Sequence, residues 1–196
     1  MVPPKTSTTA AATKPLRVDA RRNYEGLLAA GRIVFAQAGA DAPFDDVARE
    51  AGVGRGTLYR HFPTREHLFA AIIQDRVDLL EIRARELLQA PDAWEAVAEW
   101  LRLFDRIATA YGGMSARVAR GLAESGSPVA AACTPMKTAF RRLFARAQKE
   151  GRVRSDVTST QVLTMVGSLP KHPHSGDTIR PYLDIVLSGL KPPSEG

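Results

Sequence analysis

The sequence predicts an all-α protein, with a small N-terminal unit of three helices followed by a larger helical domain. Apolar residues recur at helical spacing along almost the whole chain, whereas the strict alternation typical of strands is nearly absent. Glycine and proline residues separate these periodic stretches at intervals suited to single helices. The expected fold is therefore a helical assembly without a sheet.

The composition is that of an ordinary globular protein. The chain has 196 residues, of which 44% are hydrophobic and 24% charged, and its formal charge is +6. These values exclude a disordered or collagen-like chain. Cys133 is the only cysteine, so no disulfide can form within the chain. Because no apolar run approaches the length of a membrane span, we expect a cytoplasmic protein without membrane contact.

Three segments are expected along the chain. Residues 1–18 are rich in Ala, Thr and Pro, lack the apolar segment of a signal peptide, and are expected to form a flexible extension. Residues 19–65 form the small helical unit, and residues 66–196 form the larger domain. The excess of basic over acidic side chains is the same before and after residue 70, so net charge alone indicates no function.

The small unit contains three predicted helices. An apolar stripe over 21–38 predicts the first, which ends at Gly39. Pro43 suits the first turn of a second helix, because its missing N–H is not needed there, and this helix ends near Gly52. A third, short helix follows over 55–62.

The larger domain begins with a long helix that Thr64 caps and that reaches Leu88. The next helix, 94–111, carries apolar residues around most of its circumference, which predicts a central, buried position. The remaining predicted helices are a short one over 114–123, a regular amphipathic helix from 129 to about 150, and two apolar helices at about 158–169 and 178–190.

Residues 44–62, FDDVAREAGVGRGTLYRHF, fit a helix-turn-helix unit. Ala48 is small where the two helices must cross, and Gly52 can adopt the positive φ that the turn requires. The second helix of such a unit presents its first residues to the major groove of DNA. The window 53–65 contains three arginines and no acid, and arginine can bond two atoms of a guanine edge. The pattern therefore predicts a basic DNA-binding face.

Residues 51–68, AGVGRGTLYRHFPTREHL, resemble the DNA-binding signature of the tetracycline-repressor (TetR) family. Members are homodimeric, all-helical transcriptional regulators, mostly repressors, that small ligands release from DNA. The resemblance covers about residues 21–75, and the rest of the chain matches only in layout. It implies that the following residues meet DNA: Arg55, Gly56, Thr57, Tyr59, Arg60, His61 and Arg65.

Individual roles and two departures follow from the same resemblance. Tyr59 and Arg65 are expected to contact backbone phosphates, and Gly56 to allow a close approach of DNA. Gly54 stands where the family usually has Ser or Thr, which removes a side-chain cap and a phosphate contact. Pro43 likewise replaces a frequent Thr. The acids Asp45 and Asp46 must face away from phosphate or be screened.

A ligand pocket is expected between the central helices, given the resemblance. Its candidate lining residues are Trp94, Trp100, Phe104, Asp105, Met114, Met136 and Phe140. An aromatic and Met stripe at helical spacing is also what an ordinary core looks like, so this alternative stays open. Few charges enter the stripe, and Asp105 is the polar exception. The unknown small-molecule effector is therefore expected to be largely apolar.

The last two predicted helices have more apolar surface than one chain of this size needs. Pairing them with a second copy as a four-helix bundle would bury that surface and give a homodimer. The residues expected at this interface are Val162, Val166, Ile179, Leu183, Val186 and Leu187. The alternative is that they complete the core of the single chain. A dimer would read an inverted-repeat operator in double-stranded DNA.

No enzyme, cofactor or metal site is expected. Residues 52–56, GVGRG, follow a helix rather than a strand and lack the glycine spacing of a dinucleotide-binding turn. The histidines show no metal-ligand spacing. A basic stripe between Lys137 and Arg154 is the pattern of a solvated helix face. The alternative to a sequence-specific regulator is a protein that binds DNA through charge, without sequence preference.

Overall fold

The computed structural model describes residues 13–110, 126–169 and 180–192. The described residues form eight helices and no strand, as predicted for an all-α fold. The helices are α1 (Thr13–Ala38), α2 (Phe44–Glu50), α3 (Arg55–His61), α4 (Arg65–Leu87), α5 (Ala93–Ala110), α6 (Pro128–Lys149), α7 (Ser159–Gly167) and α8 (Arg180–Leu190).

Helices α2 to α8 begin and end within two residues of the predicted positions, but α1 begins eight residues earlier than the stripe over 21–38 indicated. The stretch 13–20 carries no regular apolar stripe, so periodicity could not reveal it. Part of the expected extension, residues 1–18, is thus helical backbone. The predicted short helix 114–123, which includes Met114, and the candidate dimer residue Ile179 lie outside the described residues.

The first turns of α4 belong to the core of the N-terminal unit. The rings of Phe35 on α1 and Phe69 on α4 lie with their centroids 4.5 Å apart. At Gly31 the two helices approach so closely that a Cβ atom would lie 2.9 Å from Cδ1 of Ile72. The predicted boundary between residues 65 and 66 therefore falls at the start of a helix that continues out of the small unit.

The later turns of α4 pack mainly against α6 and also contact α5. The indole Nε1 of Trp100 on α5 donates to the backbone carbonyl of Leu80 at 2.8 Å. At the end of α4, Arg146 from α6 donates to the carbonyl of Leu88 at 2.9 Å. One continuous helix thus connects the small N-terminal unit with the centre of the larger domain.

The centre of the larger domain is a stack of aromatic rings. Trp100 lies between Phe140, at 4.2 Å between centroids, and Phe104, at 5.5 Å. All three side chains are buried, as is Met136, so the central position predicted for the helix after residue 94 is confirmed. Cys133 is buried in the same core, and burial raises the pKa of its thiol to about 11. This cysteine therefore stays protonated at neutral pH.

Candidate nucleic-acid interface

Helices α2 and α3 form the predicted helix-turn-helix. Gly52 adopts a φ of 66° in the turn, as expected for a position that disfavours any side chain. The N–H of Val53 closes the turn by donating to the carbonyl of Ala48 at 3.0 Å. Gly54 occupies the cap position of α3 and provides no side-chain bond, so the expected loss of a cap at this residue is confirmed.

The buried side of α3 fixes which side is exposed. Leu58 and Phe62 are buried, as predicted, and the Phe62 ring lies 5.2 Å from that of Tyr24 on α1. Tyr24 also contacts the ring of His61 edge-on, at 6.0 Å between centroids. The small unit therefore holds α3 through one apolar side, and the opposite side is available to a partner.

Four of the seven residues expected to meet DNA are exposed, and three are half-buried. The exposed ones are Arg55, Gly56, Tyr59 and Arg60, and the half-buried ones are Thr57, His61 and Arg65. A Cβ atom built at Gly56 would meet nothing within 4 Å, so the fold of the chain itself does not require glycine there. The absence of a side chain at residue 56 instead suits close approach by a partner.

Asp45 from α2 reaches the exposed face of α3, and the sequence window 53–65 does not include it. Asp45 forms an ion pair with Nη2 of Arg55 at 2.9 Å. It also accepts a long hydrogen bond, of 3.4 Å, from the hydroxyl of Tyr59. Asp46 pairs with Arg49 on its own helix at 3.1 Å. Both acids are thus screened by arginines. This is one of the two arrangements expected from the sequence, the other being that the acids face away from phosphate. The exposed face of α3 is therefore less positively charged than the window 53–65, with its three arginines and no acid, predicts.

Arg65, at the edge of this face, binds the loop that joins α1 and α2. Its Nη1 donates to the backbone carbonyl of Ala40 at 2.8 Å and lies 3.8 Å from the carboxylate of Asp41. Only 24% of the Arg65 side chain is exposed. The bond ties the loop between α1 and α2 to the first turn of α4. The phosphate contact expected of Arg65 remains a prediction. To make it, Arg65 would have to use donors other than the one bonded to Ala40, or give up that bond.

Replacing Arg65 with alanine is expected to lower the free energy of unfolding by about 1–2 kcal/mol, because a part-buried, charge-assisted hydrogen bond is lost. Chemical denaturation at fixed protein concentration measures this change. Arg55→Ala is the matched control, since the Arg55 side chain is 71% exposed and its loss should change stability by less than about 0.5 kcal/mol. Equal effects in the two variants would contradict a structural role for Arg65.

The residues proposed from sequence to line a ligand pocket are mostly in the aromatic core. Trp100, Phe104, Met136 and Phe140 are buried, whereas Trp94 is half-buried and has Nζ of Lys191 at 5.4 Å from its ring centroid. Asp105, 6% exposed, is the one charged side chain that the described residues bury. Met114 lies outside the described residues. The ordinary-core alternative therefore accounts for the packing of four of these side chains.

The residues proposed from sequence for a dimer interface divide into two groups. Val162, Val166, Leu183 and Leu187 are buried within the single chain, which is the alternative the sequence left open. They face inward because each lies on the side of α7 or α8 that meets the core, and so they add no surface to a dimer. Val186 is half-buried. The exposed apolar side chains of these helices are Met165, Tyr182 and Ile185.

Two further classes of site are not found in the part of the chain that the structure describes. No group of three or more His, Cys, Asp or Glu side chains there is arranged to hold a metal ion. No helix within the same ranges is long and apolar enough to cross a membrane. The exposed helix-turn-helix face is thus the best-defined candidate interface.

Family models match both parts of the chain. Residues 27–72 match the model described as bacterial regulatory proteins of the tetR family. Residues 92–192 match the model of the C-terminal domain of SbtR-like transcriptional regulators. Together the two matches include the helix-turn-helix and most of the larger domain.

Similar proteins agree with these matches. A crystal structure of a TetR transcriptional regulator from Streptomyces coelicolor is 35% identical, with a TM-score of 0.55, over 86% of this chain and 98% of that one. A transcriptional repressor of Mycobacterium tuberculosis is 27% identical over 84% of this chain and 78% of its own length. The regulator RolR, crystallised with resorcinol, is 19% identical with a TM-score of 0.60, over 89% of this chain and 90% of that one.

Proposed function

Because the chain belongs to the TetR family of transcriptional regulators, which bind DNA and are not enzymes, we propose that it is a homodimeric repressor released from its operator by a small ligand. The observation that carries this proposal is the exposed face of α3. It presents Arg55, Tyr59 and Arg60 on a helix fixed from behind by Leu58 and Phe62. A helix held in this way can enter the major groove without rearranging its core.

The proposed operator is an inverted repeat in double-stranded DNA. One recognition helix reads only a few base pairs, and a two-fold dimer doubles the number that are read. A regulator of this kind acts on chromosomal DNA, so its proposed location is the cytoplasm. Apart from DNA, its proposed partners are a second copy of the chain and a small-molecule effector.

The exposed apolar surface of α7 and α8 supports the dimer. Tyr182, Ile185 and Gly189 lie at i, i+3 and i+7 along α8, on a side that the single chain leaves uncovered, and Met165 is exposed on α7. Ile185 is 68% exposed and Tyr182, one turn earlier, is 44% exposed, and neighbouring exposed apolar side chains of this kind favour a surface that a partner covers. The proposed interface therefore uses these residues in place of the inward-facing valines and leucines.

Replacing Ile185 with arginine is expected to weaken the dimer by at least about tenfold, because a buried apolar contact would become a buried, unpaired charge. Sedimentation equilibrium at low micromolar protein measures the change. Gln37→Arg is the control, since it adds the same charge at an exposed position on α1, in the N-terminal unit and away from α7 and α8. A wild-type protein that sediments as a monomer, or equal weakening by both variants, would place the dimer contact elsewhere.

The proposed effector is largely apolar and binds beside the aromatic stack of the larger domain. Half-buried Trp94 supplies a partly accessible apolar ring near the start of α5, and buried Asp105 supplies a polar group on the same helix. RolR, whose structure holds resorcinol, shares the fold with this chain. Resorcinol and related small phenols are therefore reasonable first probes for release of the protein from DNA.

The proposed mechanism of release uses α4. This helix shares a core with α1 at its beginning, bonds to α5 through Trp100, and is capped by Arg146 of α6 at its end. A ligand that shifts α5 or α6 would move α4 and change the separation of the two recognition helices in the dimer. The difference in DNA affinity between the two states is the coupling free energy of the regulator.

Selection of binding sites from a random duplex library at about 0.15 M salt tests the proposed function, because non-specific binding is partly screened there. The expected result is an inverted repeat whose half-sites lie about one helical turn, or a multiple of it, apart. Recovery of a single unrepeated half-site would contradict the dimeric operator, and recovery of unselected sequence would contradict specific binding.

A further inference from the structure

The exposed face of α3 contains an acid where a surface that meets phosphate would be expected to avoid one. Asp45 belongs to the first turn of α2, but its carboxylate reaches α3 and pairs with Arg55 at 2.9 Å. The carboxylate also accepts the long bond from Tyr59. We propose that Asp45 is a specificity-determining residue, which orients Arg55 toward a base edge and disfavours contacts to phosphate. The inference rests on the proposed function, in which Arg55 meets DNA.

Asp45 restricts the orientation of the Arg55 side chain. A guanidinium group has five N–H donors in a planar fork, and the contact of 2.9 Å between Arg55 and Asp45 is made by Nη2. The other donors remain available for the two acceptors on the major-groove edge of guanine. Because Asp45 already restricts this long side chain, less rotamer entropy is lost when it binds a base. Asp45 thus prepares Arg55 for one direction of approach.

Asp45 also places a negative charge beside the recognition helix. Binding without sequence preference depends on the neutralisation of backbone phosphates by Lys and Arg. An Arg55 that turns to a phosphate either leaves Asp45 unpaired or brings a second negative group close to that carboxylate, and like-charge repulsion opposes the second arrangement. A guanine edge carries no net charge, so Arg55 can reach it while the ion pair persists. The carboxylate therefore penalises the non-specific complex more than the specific one.

Tyr59 contributes less to this arrangement than Arg55. The distance of 3.4 Å from its hydroxyl to Asp45 exceeds the usual length of a hydroxyl hydrogen bond, so the contact holds the ring only weakly. The ring is also positioned by an edge-on contact with Phe44, at 5.4 Å between centroids. Loss of the Asp45 carboxylate should thus release Arg55 while Tyr59 stays in place.

Asp46 offers a matched control on the same helical turn. It also lies near the positive end of α2, so both acids interact favourably with the helix dipole. Its ion pair is with Arg49, one turn along α2 itself, and does not involve α3. Asp45→Asn and Asp46→Asn therefore remove the same charge from the same turn, and only the first releases a residue of the recognition helix.

The experiment is binding-site selection from a random duplex library with four proteins: wild type, Arg55→Ala, Asp45→Asn and Asp46→Asn. Arg55→Ala identifies the base pair in each half-site that Arg55 reads. We expect Asp45→Asn to weaken preference at that same base pair and to retain the others, and Asp46→Asn to retain them all. Fluorescence anisotropy with an unrelated duplex should show about three- to tenfold tighter binding by Asp45→Asn, since one more arginine becomes free for phosphate.

Three results would overturn the inference: full preference at the Arg55 position in Asp45→Asn, an even loss at all positions, or the same loss in Asp46→Asn. An even loss would indicate a loosened helix, and the last result a general effect of charge. A wild-type protein that selects no sequence would instead contradict the proposed function itself. The two failures are distinguishable because the second requires no variant.

Discussion

Replacing Trp100 with alanine is expected to lower the free energy of unfolding by about 3–5 kcal/mol, the largest effect of any single change considered for this protein. The side chain is fully buried between Phe104 and Phe140. Its removal would leave a cavity between three helices and would also delete the bond from Nε1 to the carbonyl of Leu80. Chemical denaturation at fixed protein concentration measures the change.

Two further variants separate packing from hydrogen bonding at this position. Trp100→Phe keeps an aromatic ring in the stack and loses the indole N–H, so about 1–2 kcal/mol is expected. Trp94→Phe is the matched control, because Trp94 begins the same helix but is only half-buried, and a smaller change should follow. If the free energy of unfolding of Trp100→Ala were within about 1 kcal/mol of the wild-type value, the aromatic stack would not be the centre of the core.

Replacing Arg60 with alanine is expected to weaken operator binding about 10- to 100-fold, which corresponds to about 1–3 kcal/mol. Arg60 is exposed on the recognition face, and none of the acids in the described chain forms an ion pair with it. Its guanidinium is therefore available to DNA without first leaving a partner. Fluorescence anisotropy with the selected operator measures the loss.

A matched variant and the salt dependence make the Arg60 prediction specific. Arg76→Ala removes the same charge from an exposed position in the middle of α4, and its operator affinity should stay within about threefold of the wild type. A base contact by Arg60 would lower the preference for operator over unrelated DNA, whereas a phosphate contact would reduce the salt slope by about one unit. Binding by Arg60→Ala within twofold of the wild type would mean that the recognition face has been placed wrongly.

Much of the fold could be predicted because the signals that define it are local. The end of α1 at Gly39, the turn at Gly52 and the cap at Thr64 are set by backbone preferences of single residues, and all three predictions are confirmed. The buried position of Leu58 followed in the same way from helical spacing. The start of α1 was missed because residues 13–20 carry no apolar stripe to indicate it.

The contacts of the candidate interface could not be predicted as well, because they join segments far apart in the sequence. Asp45 and Arg55 are ten residues apart, and only the crossing angle of α2 and α3 brings them together. The bond from Arg65 to Ala40 spans twenty-five residues. For α7 and α8, spacing identified apolar faces correctly but could not say whether the same chain or a second copy covers each face.

The central claim is that this regulator recognises a particular DNA sequence through α3, rather than DNA in general. The most direct test is the ratio of dissociation constants for the selected operator and a scrambled duplex of equal length, measured at about 0.05, 0.15 and 0.2 M salt. We expect a preference of about 10³-fold or more that persists as salt increases, with two protomers on each duplex. A ratio near one, with affinity for both duplexes falling equally as salt rises, would contradict the claim and indicate binding through charge alone.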